Sequence, residues 1–415
     1  MATVAVAVAV LAGAGLGRVV WPVPTTTNSA SSPSSNGSGS SGSSGGSTSP
    51  YGGGSSGGST SPYGGGSSGG STSPFGSGST GNSPTGAGAP SDISAIASKV
   101  DPALVDINTN LSYQNEQAAG TGMVLTSNGE ILTNNHVIDG ATSISVTDVG
   151  NGKTYSANVV GYDRTADVAV IQLVKASGLQ TISVGRAAAA VGQSVVGVGN
   201  AGGTGGTPSA AGGSITALDQ SITASDNGGG NSEQLTGLIE INAAIQPGDS
   251  GGSLVNTSGQ VIGMDTAAST DSSFQVSGTQ AYAIPIKTAL SIARQIKAGN
   301  ASTTVHIGAT GFLGVSVQPS ASTGGSFGGG ASSGNGTTSS GAVVAGTLSG
   351  SPAAQAGLVQ GDVITGLDGQ SVGSSTDLSN LLEADHPGDT VQLQWTDQSG
   401  QTHTAGVKLT SGPPA

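Results

Sequence analysis

The sequence predicts a mainly β protein, with two folded parts carried behind a disordered N-terminal tether. Three observations lead there. From Ala103 onward, short β-rich runs recur between Asn-Gly pairs or single glycines, with few helical patterns, as in an all-β sandwich or barrel. Composition changes sharply near Ser91, where a stretch holding no charge but Arg18 gives way to periodic apolar runs. A second change, after Ala301, sets off a C-terminal stretch of about 100 residues, enough for a small domain.

Composition narrows the function. The 415 residues include 74 glycines, too many for a uniformly globular chain. Ten Lys and Arg against 23 Asp and Glu give a net charge of −13. That disfavours nucleic acid, whose phosphates need clustered cations, and attachment to anionic lipid through a basic patch. The chain has no cysteine, which excludes disulfide scaffolds, thiolate metal sites and cysteine catalysis.

The N-terminal segment, residues 1–24, is apolar and rich in Ala and Val, broken by Arg18. It reads as a signal anchor, with two alternatives: a signal peptide with small residues near Ala12-Gly13-Ala14, or a natural start further upstream. The first two readings both send the remainder out of the cytoplasm, membrane-anchored in one case and secreted in the other.

Residues 25–90 form a Gly/Ser/Pro-rich linker with a 12-residue repeat that starts at Ser47, recurs from Ser59 and degenerates from Ser71. Too little apolar surface is available to offset its ordering entropy, so it is expected to be a disordered tether spanning roughly 40–50 Å. Ser91-Asp92 opens a short helix ending near Asp101-Pro102. β-runs follow at 104–107, 122–125, 143–146, 157–160, 168–171 and 194–198. One helix is expected in this part, over Ile286 to Lys297. The first folded domain is therefore set at 91–305.

The second domain, 306–412, opens with Gly311-Phe312-Leu313-Gly314-Val315, carries a Gly/Ser insert over 319–341, and resumes at Ala342-Val343-Val344. A helix with Leu378, Leu381 and Leu382 on one face follows.

The chemistry centres on Gln246-Pro247-Gly248-Asp249-Ser250-Gly251-Gly252. A serine among glycines reads as an activated nucleophile, which needs a base and a group to orient that base. Glycines also let successive N–H groups converge where an oxyanion would develop. The base candidate is His136, in Thr133-Asn134-Asn135-His136-Val137, following a β-run and opening a loop. Alone, such a histidine is more often a satisfied surface or core residue. His306, His386 and His403 lie in the interdomain segment and C-terminal domain. The orienting acid is Asp167, which begins the apolar run Val168-Ala169-Val170-Ile171. Buried there it needs a partner, which an imidazole N–H supplies. Asp139 and Asp163 suit turn roles better. The order His, Asp, Ser, with spacings of 31 and 83 residues, is the chymotrypsin-like one.

These three frames, with Ala283-Ile284-Pro285, resemble the HtrA (Deg) family: a two-barrel chymotrypsin-like protease domain over 91–300 and a small α+β PDZ domain over 309–412. The resemblance implies Ser250 as nucleophile, His136 as general base and acid, Asp167 as its orienter, and the N–H groups of Gly248 and Ser250 as oxyanion hole. It departs at Asp249, where the family usually has Asn. That side chain leaves the backbone donors unaltered. Ala244 stands where trypsin-type enzymes keep a pocket aspartate. With Ile245 and Met264 it is expected to line an apolar pocket for small or medium aliphatic residues, unless loop 201–213 reshapes it. Gly311, Phe312, Leu313 and Gly314 match the loop that presents N–H groups to a peptide carboxylate.

Implied partners are unfolded polypeptides and C-terminal peptides, and the implied assembly is a homotrimer. No cofactor or metal is expected. Gly197-Val198-Gly199-Asn200-Ala201-Gly202 matches a dinucleotide fingerprint, yet the glycines that follow cannot start the helix it requires. A second reading is a non-proteolytic holdase chaperone on the same scaffold. A third is a stalked adhesin, and an intact triad argues against both as sole functions.

Overall fold

Period-two alternation gives some of these runs one buried face, while others are buried on both. In the computed structural model, which describes residues 19–22, 85–225, 232–266, 280–318 and 341–414, the pattern is plain at Ser143–Asp148. There Ile144 and Val146 point inward, while Ser143 and Ser145 face solvent. The insert over 319–341 and the tether over 25–90 lie almost wholly outside the described residues, as does the N-terminal segment apart from Val19–Pro22.

In chain order, β1 is Val19–Pro22, α1 Ile93–Ala97, β2 Leu104–Leu111, β3 Glu116–Val124 and β4 Glu130–Thr133. Next come α2 Asn135–Ile138, β5 Ser143–Asp148, β6 Thr154–Asp163 and β7 Val168–Leu173. Strands pair in the order β3-β2-β5-β6-β7-β4, and β3 also pairs β4, so six strands close on themselves. The backbone of β1 adds antiparallel to the edge of β3. Val105, Ile107, Ile131, Val146, Tyr162 and Ile171 fill this barrel.

A second closed barrel is made by β8 Ser194–Gly199, β9 Ser209–Ser225, β10 Ser232–Ile241, β11 Ser253–Asn256, β12 Val261–Thr266 and β13 Ala281–Pro285. Val195, Ile215, Ile239, Ile241 and Leu254 fill it. A third cluster joins the two barrels: Leu104, Met123, Leu132, Val168, Val196, Val255 and Met264 pack with Ile286, Ala289, Ala293 and Ile296. The last four lie on α3, Ile286–Lys297, at helical spacing, so this helix presses one stripe across the seam.

Three expectations are corrected. His136 sits within α2, a four-residue helical turn, and not in an open loop. Helix therefore occurs here beyond Ile286 to Lys297. Order also begins before Ser91, since the Gly86 amide donates to the Gly212 carbonyl at 2.9 Å.

From α3 the chain returns as β14, Val305–Ile307, along β6. The C-terminal domain follows with β15 Thr310–Phe312, β16 Val315–Val317, β17 Ala342–Thr347, α4 Pro352–Ala356, β18 Val363–Leu367 and β19 Gln370–Ser371. It ends with α5 Ser375–Leu382, β20 Thr390–Thr396, β21 Thr402–Lys408 and β22 Thr410–Gly412. Its sheet runs β16-β17-β18-β20-β21 over a core of Val344, Ile364, Leu378, Leu393 and Trp395. Ser351 and Ser374 cap α4 and α5 through their side-chain oxygens.

The two domains touch at specific groups. Tyr113, in the β2–β3 turn, stacks on Phe312 with ring centroids 5.2 Å apart. The Tyr162 and Thr310 hydroxyls lie 3.1 Å apart. His306 is sandwiched between Tyr162 and His386, and burial holds its imidazole below the ordinary histidine range. Among the described residues no helix is long and apolar enough to cross a membrane.

Candidate active site

Strand register brings the first two site residues together. β4 and β7 are antiparallel with Thr133 opposite Ala169. The chain beyond Thr133, carrying His136, therefore faces the chain before Ala169, carrying Asp167. His136 Nδ1 lies 3.0 and 2.9 Å from the two Asp167 carboxylate oxygens. The His136 backbone amide donates to Oδ1 at 3.0 Å, and the Thr266 hydroxyl donates to Oδ2 at 3.2 Å. Asn134 donates its side-chain amide to the Asp167 carbonyl at 2.9 Å. The acid is 1% exposed, so each donor matters: a buried carboxylate persists only when it is bonded. Asp167 adopts a left-handed backbone, φ 52°, a conformation that aspartate tolerates better than most residues. With Nδ1–H committed to Asp167, a neutral imidazole presents Nε2 as its basic nitrogen.

The backbone of Ser250, on the second barrel, is held beside β3 and α2. The link is Thr121 on β3. Its amide donates to the Ser250 carbonyl at 2.8 Å, and its hydroxyl donates to the Gly248 carbonyl at 2.7 Å. That hydroxyl also accepts from the Asn200 amide at 2.8 Å, while the Thr121 carbonyl accepts from the Thr133 hydroxyl at 2.7 Å. One residue thus ties the serine turn to the strand that leads into His136. Next to it, a Cβ on Gly120 would stand 2.7 Å from Val137 and 3.3 Å from the Ser250 carbonyl. Only a bare backbone lets α2 and the serine turn approach so closely.

Two glycines in the turn are obligatory. Gly248 has φ 99°, and a Cβ there would meet the Asn200 carbonyl at 2.3 Å. Gly251 has φ 81°, and a Cβ would meet the Thr121 carbonyl at 2.1 Å. The segment that mimics a dinucleotide fingerprint serves this turn. After Gly199 it makes a short 3-10 turn, Ala201–Gly203, and the Gly202 amide donates to the Pro247 carbonyl at 2.8 Å.

Residues beside the turn divide unexpectedly. Ala244 is buried in the second-barrel core with Ile245 packed against it, whereas Met264 belongs to the seam between the barrels. The residue that shares space with Ile245 is Asp265: both border the position a Gly197 Cβ would take. Asp265 is 0% exposed, with neither carboxyl oxygen in good hydrogen-bond geometry. Its backbone clasps the turn, accepting from the Gly251 amide and donating to the Gly252 carbonyl, each at 2.9 Å. Burial first, and the nearby Asp249 carboxyl second, hold Asp265 well above the ordinary carboxylate range. Asp249 accepts from the Gln246 amide and the Ser209 hydroxyl, yet burial pushes it up to about 6. Burial thus raises both the carboxyl next to Ser250 in sequence and the one that faces it. Thr121, Thr266 and Asp265 carry no local sequence signal, because each acts on residues distant in the chain.

In the C-terminal domain, Gly311, Phe312, Leu313 and Gly314 come together at one end of a groove. Its walls include Val315 and Val317 on β16 and Leu378 and Leu382 on α5. Gly314, φ 71°, leaves no room for a side chain, since a Cβ would lie 2.3 Å from the Ser351 Cβ. Among the described residues no three His, Cys, Asp or Glu side chains converge as a metal site.

Comparison with known proteins agrees with this division. A trypsin-like peptidase domain matches residues 120–264 and a PDZ domain matches residues 311–409. The serine protease PepD of Mycobacterium tuberculosis is 31% identical over 77% of this chain and 66% of its own length. A protein named "Probable periplasmic serine endoprotease DegP-like", from Hahella chejuensis, is 33% identical over 68% and 55%, respectively. The chain therefore spans between roughly half and two thirds of the length of these relatives. A solved structure of the HtrA-type protease AlgW with a tripeptide aligns at 28% identity and TM-score 0.42, covering 78% of this chain and 98% of that one.

Thr121→Val keeps the shape and removes the hydroxyl. It should lower kcat at least about tenfold with KM nearly unchanged, and Thr121→Ser should restore most of the loss; steady-state kinetics on a peptide substrate checks this. Stability should also depend on pH. A carboxyl whose folded pKa is raised favours folding at low pH, and that contribution is lost as pH rises from 3.8 through about 6, the value for Asp249. The wild-type melting temperature should therefore fall as pH rises from 3.8 through about 6, by about 2–4 °C per kcal/mol lost. In Asp249→Asn the decline should flatten, as read by calorimetry.

Proposed function

Because this chain is homologous to HtrA/DegP-type serine proteases, we propose that it is a serine endopeptidase in which Ser250 attacks, His136 moves the proton and Asp167 orients His136. The observation that carries this reading is the set of hydrogen bonds on Asp167. Its carboxylate meets both the ring nitrogen and the backbone amide of His136, fixing tautomer and ring plane together.

In the proposed reaction the Ser250 hydroxyl gives its proton to His136 Nε2 as oxygen adds to the scissile carbonyl. The amides of Gly248 and Ser250 would receive the oxyanion, and the positive φ of Gly248, which glycine adopts freely, supports that role. Protonated His136, stabilised by Asp167, then returns the proton to the leaving amine. Water repeats the sequence on the acyl-enzyme and frees Ser250.

The substrate proposed is unfolded or misfolded polypeptide outside the cytoplasm, in keeping with the periplasmic naming of a relative. Cleavage after small or medium aliphatic residues is supported by Ala244 and Ile245. The buried Asp265 does not overturn that preference, since its carboxyl favours the uncharged form and so attracts no Lys or Arg. C-terminal peptides would enter the groove between β16 and α5, adding as a strand with their carboxylate at Gly311 to Gly314.

Cleavage of casein by the full chain tests the proposal. Ser250→Ala should abolish it with the fold retained, and Asp167→Asn should lower kcat by about 10⁴. Undiminished cleavage by Ser250→Ala would remove the serine assignment. A wild-type chain that binds casein without cutting it would favour the holdase.

A further inference from the structure

Two of the groups that hold the C-terminal domain to the first barrel are histidines, and the proposed reaction uses neither. β14 runs along β6 with His306 opposite Tyr162. His306 is 6% exposed. Its Nδ1 lies 2.7 Å from the Glu383 carbonyl and its Nε2 3.3 Å from the Ala309 carbonyl. His386 answers from the C-terminal domain, with Nε2 3.0 Å from the Ile307 carbonyl. Each imidazole thus reaches the backbone beside the other. The two rings stack with centroids 4.8 Å apart, and Tyr162 stacks on His306 at 5.1 Å.

Charged groups approach this pair from three elements. β6 and the turn after it bring Asp163 and Arg164. Asp163 accepts from the Thr165 and Thr304 hydroxyls and the Ala166 amide, while Arg164 lies 3.7 Å from the Glu383 carboxylate. α3 leaves Lys287, Arg294 and Lys297 exposed, with Lys297 paired to Glu130. The chain after α5 brings Glu383, Asp385 and His386, and then Asp389, 3.8 Å from His386 Nδ1. Of these, His386 is the group whose charge acts on His306.

A neutral imidazole has one proton to donate, and the short contact places it on Nδ1 of His306. A second proton, on Nε2, gains the Ala309 carbonyl. It also puts a charge into a buried gap, against a second imidazole. Burial, the largest effect, and His386 hold His306 below the ordinary 6.5, against the pull of the two carbonyls. Separation of the domains exposes the ring and returns it to the ordinary value. A histidine whose pKa is lowered on docking favours docking above pH 6.5, and that contribution is lost as pH falls below it.

We propose that the stacked His306 and His386 form a pH-sensitive clasp, which seats the C-terminal domain on the first barrel near neutral pH and releases it on acidification. Release also parts Phe312, which lines the groove, from Tyr113 in the β2–β3 turn. The groove is then uncoupled from the strand that bears Thr121.

The test is energy transfer between dyes on the two domains. The chain has no cysteine, so Ser145→Cys and Val359→Cys place the labels at exposed positions, one on each domain. The full chain is used in a Ser250→Ala background, with pH-insensitive dyes and dilution into unlabelled chain. Transfer should be level between pH 8 and pH 7 and change progressively below 6.5, with far-ultraviolet circular dichroism unaltered. His306→Phe keeps a ring in the stack but cannot titrate, so the acid change should be lost. In His386→Gln it should shrink. Level transfer down to pH 5, or the same acid change in His306→Phe, overturns the proposal. So does a change that appears only together with loss of secondary structure. Should His306→Phe fail to fold, the exposed His386→Gln decides, and an undiminished change there overturns the clasp. Because the readout is a distance with the nucleophile removed, its failure is distinct from a failure of the protease assignment.

Discussion

The fit of Thr121 against the serine turn is the constraint on which the rest depends. Each barrel closes on itself and could hold its own core, but neither alone holds a complete site. His136 and Asp167 belong to the first barrel and Ser250 to the second. Thr121 joins them through four hydrogen bonds, two of them to the carbonyls of Gly248 and Ser250. The seam of Leu132, Met123, Val198 and Met264 beneath supplies apolar burial, which is strong but non-directional. Directional bonds at Thr121 convert that burial into a defined placement of the nucleophile.

Order spreads outward from there in two directions. On one side the loop after β8 packs on Gly248 and continues to Asp106 through Gly205 and Gly206. On the other, the β2–β3 turn carries Tyr113 onto Phe312, a residue that also lines the groove of the C-terminal domain. β3 thus lies between the serine turn and the groove of the C-terminal domain. A ligand that moved Phe312 would act on the strand that bears Thr121.

Much of this was legible in the sequence, and the division is physical. Strand runs, the α3 stripe and the glycine-framed serine are local patterns, written within a dozen residues. The pairing of His136 with Asp167 was legible because each carries its own strand frame. Thr121 was not, because its partner Gly248 lies 127 residues away and a threonine in a strand has no distinguishing pattern. Asp265 was passed over for the same reason: it lies within an apolar strand, and only the closed barrel shows that it faces Asp249. Alternation along β12 gives two faces, and sequence does not say which one meets Ile245. The glycines at 197–202 misled in chemistry but not in geometry, since their bare backbone is what lets the loop lie on the serine turn.

The most direct test of a competent nucleophile and base is labelling of the full chain with a fluorophosphonate serine probe, followed by peptide mapping. The account predicts covalent modification at Ser250 and none in His136→Ala. Absence of labelling at Ser250, even with unfolded protein and a C-terminal peptide present, would contradict it. The fold would then be a scaffold that binds without cutting.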